Sequence, residues 1–252
     1  EEGARRISDR QRSRLGTDLL TLHDLIVEAG RLAQAQAGGA DPAGIVASGT
    51  HIEAVVERRR EQQGSLARML RERILAGREI VPTTGAAIGQ INGVAVYISP
   101  PVERRVAVPF RISVTVSPGR EGLVDIEREA EAADASHVSG ALTMEGYLAH
   151  RYGSQRQISV AARLRFEQEE GTSGNSASAA ALFALLSALA DVPIFGARAI
   201  TGAIGQYGEF QTIGAVNDKI EGFWEICRQR RAAGETPTVP YGILIPAANA
   251  QD

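Results

Sequence analysis

Apolar residues recur at helical spacing through the first third of the chain. Up to about Ala76 they fall three or four positions apart, and strand-like alternation is almost absent. A glycine and proline cluster at 38–42 and the pair Gly64 and Ser65 predict breaks, and the last helix is predicted to end near Gly77. This pattern predicts a small all-α region over residues 1–78. Its apolar positions are Leu15, Leu19, Leu22, Ile26, Ile52, Val55, Val56, Leu66, Met69, Leu70 and Ile74.

After Pro82 the apolar pattern changes to the two-residue period of β-strands. Strict alternation occurs at Val108, Phe110, Ile112, Val114 and Val116, and again at Ile158, Val160, Ala162, Leu164 and Phe166. Residues 138–152 lie between these runs, and their apolar positions fit one face of a helix. The mixture predicts one α+β domain over residues 79–252.

The last third of the chain predicts two further helices with short strands around them. Ser176 to Ala190 is predicted to be a buried helix, because Leu182, Leu185, Leu186 and Leu189 form an apolar stripe and the first turn is nearly all alanine and serine. A strand at 197–201, a turn or hairpin at 205–214, a helix from Val216 to about Arg231 and a short strand at 242–246 follow.

Composition excludes several classes of function. A net charge of -3 over 252 residues gives no electrostatic footprint for nucleic acid. No apolar run approaches the ~20 residues of a membrane-spanning helix. The single cysteine, Cys227, has no disulfide partner and no neighbours at metal-ligand spacing. We therefore expect a cytoplasmic protein without a structural zinc site.

The segment best suited to carry a reactive side chain is a glycine-rich loop that leads directly into the Ser176 helix. It reads Gly171-Thr172-Ser173-Gly174-Asn175-Ser176-Ala177-Ser178. Free backbone N–H groups and the positive end of a helix dipole meet at such a junction, so a nucleophile here has an oxyanion hole beside it. An ordinary capped helix start is the simpler interpretation.

A serine nucleophile needs a base, and the histidines offer no recognisable catalytic setting. His23, His51, His137 and His150 lie in predicted helices, where ordinary surface or core roles are expected. The alternative base is Lys219, the only lysine of the 252 residues, near the start of an apolar helix. Partial burial lowers a lysine pKa towards the range of a base. A solvated lysine paired with Asp218 or Glu221 is the simpler interpretation.

The two segments together resemble the Lon protease family. The resemblance rests on Gly174-Asn175-Ser176-Ala177-Ser178, Thr201-Gly202, Gly208-Glu209-Phe210-Gln211-Thr212-Ile213-Gly214, Asn217-Asp218-Lys219-Ile220-Glu221-Gly222 and Ile245-Pro246-Ala247-Ala248-Asn249. It extends through Gly119-Arg120-Glu121-Gly122 and Ile126-Glu127-Arg128-Glu129, and so covers essentially all of 79–252. The similarity is closest to the B-type and C-type branches of the family.

This resemblance implies a Ser-Lys dyad, with Ser176 as nucleophile and Lys219 as general base. Thr201 would orient the lysine amine, and the turn at Asn175 would supply oxyanion donors. Glu127, Arg128 and Phe166 are weaker candidates for lining a substrate groove.

The family also implies an architecture and a way of working. The fold would be a Lon-type proteolytic domain of the ribosomal protein S5 domain 2-like kind, after a small AAA+-like helical subdomain. The expected activity is that of a serine endopeptidase that degrades unfolded polypeptides within a homo-hexameric ring. No phosphate-binding loop of the Gly-x-x-x-x-Gly-Lys-Ser/Thr type occurs, so no cofactor is expected for this chain, and the ATP dependence of a longer parent stays open.

Three departures from the family pattern bear on the site. Asn175 stands where B-type enzymes carry aspartate, which puts a third acidic member of the catalytic group in doubt. Ala215 replaces a glycine before the lysine helix, a change expected to matter little. The family continues past Asp252, so the chain is expected to be an excised fragment whose proteolytic domain is incomplete at its C-terminus.

Two other functions fit parts of the same pattern. A small-molecule kinase of the GHMP type also places a glycine and serine loop at a helix N-terminus, and Mg-ATP would then protect the loop. Against it, no matching magnesium-ligand motif is found in the sequence. A non-catalytic Lon-like scaffold would bind unfolded chains, and its Ser176 would resist acylating and boronate inhibitors.

Overall fold

The structure is a computed structural model that describes residues 19–37, 46–99, 104–153, 159–168 and 173–251. Its contacts divide the chain into two compact units, one ending at Leu66 and the other covering Ala67–Gln251. The domain boundary predicted between residues 78 and 79 stays a prediction. Several sequence predictions lie outside the described residues, namely those for Leu15, 38–42, Ile158, Gly171 and Thr172.

The described part of the first unit is helical, as predicted. Helix α1 covers Leu19–Gln36, and helix α2 covers Gly49–Leu75 and continues into the second unit. Leu25, Ala29 and Val55 form the buried cluster of the first unit. The break predicted at Gly64 and Ser65 is wrong, because α2 runs through both residues. One glycine costs a helix only about 1 kcal/mol, and strong helix formers surround it in the sequence.

The second unit is built on a mixed six-stranded sheet, which confirms the predicted α+β class. The strands are β1 Ala86–Ala87, β2 Gln90–Ser99, β3 Arg104–Pro118, β4 Gly122–Asp125, β5 Val160–Glu167, β6 Ile194–Phe195, β7 Arg198–Ile200, β8 Ala203–Ile204, β9 Phe210–Gln211 and β10 Gly242–Leu244. Along the sheet the strand order is β10-β7-β2-β3-β5-β4. Strand β3 pairs antiparallel with β2 and β5, whereas β7 pairs parallel with β2 and β10, and β4 pairs parallel with β5. The pairs β1-β6 and β8-β9 form two small separate sheets.

The three helices predicted after Pro82 are present in the predicted order, and a short helix at Ile126–Glu129 was not predicted. They are α3 Ile126–Glu129, α4 Ala135–Tyr152, α5 Ser178–Ala190 and α6 Val216–Ala232, with a 3-10 turn at Ala247–Gln251. Helix α5 begins two residues later than predicted, because the N–H of Ser178 closes a turn onto the carbonyl of Asn175 at 3.0 Å. The predicted apolar stripe is buried at Leu182 and Leu185, whereas Leu189 is 44% exposed.

Helices α5 and α6 cover opposite faces of the sheet. Phe110 and Ile112 of β3 belong to the cluster that contains the buried face of α5, whereas Ala107 belongs to the cluster that contains Phe223 of α6. Even and odd positions of a strand point to opposite faces, so the two helices are separated by the sheet along most of their length. They can meet only beyond the ends of the strands.

Gly222 sets how closely α6 approaches the sheet. A Cβ atom at this position would lie 2.1 Å from the carbonyl oxygen of Ala107 in β3. Backbone cannot give way by that amount, so a side chain at Gly222 would push the helix outwards. Lys219 lies one turn earlier on the same helix and would move with it.

We predict that Gly222→Ala lowers the free energy of unfolding by about 1–3 kcal/mol, because the added methyl group overpacks the contact between α6 and β3. Urea unfolding of the parent and the variant measures the loss. Gly214→Ala is the matched control, because a Cβ at Gly214 would meet nothing within 4 Å. Equal stability of the two variants would contradict the close approach at Gly222.

Candidate active site

The turn that carries Ser176 is fixed by the segment that follows β7. The N–H of Gly202 donates to the Ser176 carbonyl at 2.7 Å, and the N–H of Ala179 donates to the Gly202 carbonyl at 3.1 Å. The buried hydroxyl of Ser178 accepts from the N–H of Ile204 at 3.1 Å. These three bonds join the first turn of α5 to the carboxyl end of β7.

The helix that carries Lys219 is held by a second set of backbone contacts. The side-chain amide of buried Asn249 accepts from the N–H of Ile213 at 3.0 Å and donates to its carbonyl at 3.1 Å. This two-way pairing fixes the loop that leads into α6. Ala215 then adopts a left-handed conformation with φ of 55° as the N-cap.

Lys219 and Ser176 meet beyond the end of β7, although their helices lie on opposite faces of the sheet. The Lys219 Nζ lies 2.6 Å from Ser176 Oγ and 3.0 Å from Thr201 Oγ1. Thr201 Oγ1 donates to the Ser176 carbonyl at 3.3 Å, so its lone pairs are left for the amine. The structure therefore brings together the three side chains that the sequence assigned to a nucleophile, a base and the residue that orients the base.

Burial changes the acid–base chemistry of Lys219. The side chain is only 3% exposed, and burial lowers its pKa from 10.5 to about 8. Lost hydration disfavours the ammonium form, and the two neighbouring hydroxyl groups do not offset it with a negative charge. Roughly a tenth of the amine is neutral at neutral pH with such a pKa. The solvated, ion-paired lysine considered from the sequence is wrong, because the amine is buried against hydroxyl groups.

The backbone around Ser176 offers hydrogen-bond donors for an anion. Within the residues that the structure describes, the N–H groups of Asn175 and Ser176 have no acceptor. Both precede the N-terminus of α5, where the helix dipole favours negative charge. An oxyanion next to Ser176 Oγ would therefore meet preorganised donors.

The residues predicted to line a groove are largely enclosed. Phe166 is 2% exposed, and its ring packs edge-on against His137 with ring centroids 4.6 Å apart. Glu127 is buried beside the backbone of Phe166, and burial raises its pKa. Arg128 donates to Glu145 at 3.1 Å. In this structure the Phe166 ring belongs to the core, and the groove roles of Glu127 and Arg128 stay predictions.

Three polar residues around the site were missed in the sequence. Asn249 and Ser178 lie inside the runs that carry the Lon resemblance. The sequence does not indicate which backbone groups such uncharged side chains contact. Asp134 caps α4 and accepts from the N–H of Gly174. An aspartate just before a helix is a recognisable cap, so the capping role of Asp134 could have been predicted, but not its contact with the loop.

Among the described ranges there is no cluster of three or more histidine, cysteine, aspartate or glutamate residues that could hold a metal ion. None of the helices in those ranges is both long and apolar enough to cross a membrane.

Comparison with known proteins decides the family. No protein-family model matches the chain. A protein of Escherichia coli K12 named "Putative Lon protease homolog" is 39% identical over 203 residues, which cover 80% of this chain and 34% of the relative. The Haemophilus influenzae protein of the same name is 36% identical over 205 residues, with 81% of this chain and 33% of the relative covered. The chain belongs to the Lon protease family.

More distant members are similar over a shorter stretch. The "Archaeal Lon protease" of Pyrococcus abyssi is 26% identical over 185 residues, which cover 69% of this chain and 16% of that relative. The Lon chain described here spans about a third of the length of the two bacterial relatives. Its membership in a protease family fits the arrangement of Ser176, Lys219 and Thr201 in the structure.

The pKa of Lys219 predicts a specific dependence of stability on pH. Between the folded value of about 8 and the unfolded value of 10.5, the unfolded chain binds more protons at Lys219 than the folded chain does. The free energy of unfolding of the parent therefore rises with pH in this window, and the gain is about 3 kcal/mol. Lys219→Met keeps a side chain of similar length and removes the titration.

Urea unfolding of the parent and of Lys219→Met at about pH 7 and about pH 11 measures this gain. The other titrating groups of the two proteins are the same, so their contribution cancels in the difference between them. A difference that stays constant over this range would show that Lys219 has an ordinary pKa.

Proposed function

We propose that this Lon family chain is the proteolytic part of a serine endopeptidase that uses a Ser176-Lys219 dyad. The observation that carries the proposal is the 2.6 Å contact between Ser176 Oγ and the Nζ of a lysine that is 3% exposed. A serine hydroxyl is a weak nucleophile at its ordinary pKa and needs a base within hydrogen-bond reach. The structure offers Lys219 in that position.

Acylation begins when the neutral amine of Lys219 takes the hydroxyl proton of Ser176. The Oγ atom attacks the carbonyl carbon of the substrate, and the N–H groups of Ser176 and Asn175 bind the oxyanion that forms. Lys219, now an ammonium, donates its proton to the nitrogen of the leaving peptide, and the C–N bond breaks. The product of this half-reaction is an ester between Ser176 and the acyl part of the substrate.

Deacylation reverses these roles with water as the nucleophile. Lys219 has returned to the neutral form after protonating the leaving amine, and it removes a proton from a water molecule that attacks the ester carbonyl. The proton then returns to Ser176 Oγ as the ester bond breaks. Thr201 keeps the lysine amine aimed at Ser176 throughout, because it contacts both the amine at 3.0 Å and the Ser176 carbonyl at 3.3 Å.

The finer features of the function come from family resemblance. We propose unfolded polypeptides as substrates, a homo-hexameric ring as the assembly, a cytoplasmic location, and a proteolytic domain of the S5 domain 2-like fold after an AAA+-like helical subdomain. Incubating the protein with casein, with and without ATP, and mapping the peptides tests activity and nucleotide dependence together. Intact casein in both samples would favour the scaffold alternative, and cleavage without ATP would show that the chain needs no nucleotide.

We predict that Ser176 and Lys219 act as one unit, so the effects of losing them do not add. Ser176→Ala removes the attacking oxygen, and Lys219→Ala leaves a hydroxyl without a proton acceptor. Each single variant loses nearly all casein cleavage, and the double variant is about as inactive as either of them. Unfolding curves of all three variants show whether they remain folded. A double variant much less active than both single variants would contradict the dyad.

Lys219→Arg separates the two interpretations of the lysine. A guanidinium stays protonated at every pH up to about 12 and cannot act as a base, so we predict that the folded variant is inactive. Activity near that of the parent would remove Lys219 from the mechanism.

The rate of cleavage should follow the titration of a single amine. Because the base must be neutral, kcat/KM rises with pH and levels off above about 8, the value to which burial lowers the pKa of Lys219. Lys219 is the only lysine of the 252 residues, so isotope labelling of lysine gives one NMR signal that reports its pKa directly. If the pH at which kcat/KM is half-maximal differs from this measured pKa, a group other than Lys219 controls the rate.

A further inference from the structure

Asp134 makes two contacts that belong to different parts of the molecule. As the N-cap of α4, its Oδ1 accepts from the N–H of His137 at 2.7 Å, which is an ordinary capping bond. The same carboxylate also accepts from the N–H of Gly174, with Oδ1 at 3.1 Å and Oδ2 at 3.2 Å. Residue 174 is two positions before Ser176, so a helix cap here reaches the loop that carries the nucleophile.

A second contact joins the same helix to the same loop. Gly140, one and a half turns after the cap, faces Asn175, and a Cβ at Gly140 would lie 3.0 Å from Asn175 Cβ and 3.3 Å from its Cα. Gly174 itself has φ of 77°, a left-handed conformation that suits glycine. Helix α4 thus contacts the loop through a carboxylate at one point and through close packing at the next residue.

These contacts complement the ones that follow Ser176. The bonds from Gly202, Thr201 and Ile204 hold the carbonyl of Ser176 and the side chain of Ser178. The bond from the N–H of Ser178 to the carbonyl of Asn175 orients the peptide group that also carries the N–H of Ser176. The direction of the Asn175 N–H is left to the residues before it. The Asn175 N–H is one of the two donors that would bind the oxyanion, and its peptide group joins Asn175 to Gly174, whose own N–H is held by Asp134.

We propose that Asp134 is a positioning residue for catalysis, which holds Gly174 so that the N–H of Asn175 points at the oxyanion. This inference rests on the proposed function, because it concerns the same nucleophile. Asp134 does not touch the reacting atoms or bind the substrate. Its loss should therefore lower kcat and leave KM nearly unchanged, because the donors act on charge that develops in the transition state.

Three substitutions separate the two contacts of Asp134. Asp134→Asn keeps an acceptor of the same length, so it retains both the cap and the bond to Gly174. Asp134→Ser keeps the helix cap, because serine caps as well as aspartate does, but its shorter side chain does not reach Gly174. Asp134→Ala loses both contacts. Loss of the cap therefore lowers the free energy of unfolding only in the alanine variant. Loss of the bond to Gly174 affects the loop in both the serine and the alanine variants.

We expect kcat for casein cleavage to fall about tenfold in Asp134→Ser and in Asp134→Ala and to stay near the parent in Asp134→Asn. This loss is smaller than the roughly 10²–10³-fold cost of removing an oxyanion donor, because the Asn175 N–H is misdirected and not removed. Hydrogen exchange at the Gly174 amide supplies a readout that does not depend on activity. It should speed up in the serine and alanine variants and stay slow in the asparagine variant.

The outcomes distinguish this inference from the proposed function. If Asp134→Ser has the same kcat as the parent and its Gly174 amide still exchanges slowly, the role of Asp134 is overturned, whereas the dyad is unaffected. A tenfold loss in Asp134→Asn as well would show that the negative charge, not the positioning bond, matters, and would also overturn it. A parent protein that cuts no casein, with Gly174 still protected, would overturn the proposed function and with it the catalytic consequence of Asp134.

Discussion

A single contact governs this structure: the buried amine of Lys219 against the hydroxyl of Ser176, 2.6 Å apart. Burying an ammonium that has no carboxylate partner among the described residues costs the fold about 3 kcal/mol below the lowered pKa of about 8. A protein that only had to be stable would place an apolar side chain there. The same burial leaves part of the lysine amine neutral, as a general base must be. Burial of Lys219 therefore lowers the stability of the fold and favours its role as a base.

The rest of the second unit can be understood as the means of holding that contact. Helices α5 and α6 pack on opposite faces of one sheet, so their side chains meet only past the end of β7, where Thr201 lies between them. Gly222 brings α6 close to β3, and the alanine-rich start of α5 is buried on the other face. Rigid elements place two side chains more precisely than mobile loops do.

The loops at the site are tied down by side chains that contact backbone. Asn249 pairs with both polar groups of Ile213 before α6, and Ser178 accepts from Ile204 after the nucleophile. Asp134 does the same for Gly174. Each of these residues satisfies donors or acceptors that a loop would otherwise expose, which fixes the geometry of the loop without adding to its chemistry.

The sequence by itself determined the element types, because hydrophobic periodicity is a local property: β3, β5, α4 and α6 lie where the pattern predicted them. Motif order also predicted Ser176, Lys219 and Thr201 as site residues, and their side chains lie together in the structure. Tertiary structure decided what depends on residues distant in the chain. The burial of the Phe166 ring is an example. So is the left-handed backbone at Ala215, a conformation that glycine adopts with less strain than alanine. The burial of Lys219 and the hydrogen bond between Asp134 and Gly174 arise from packing between separate elements. No local pattern in the sequence indicates which backbone atom a side chain will contact.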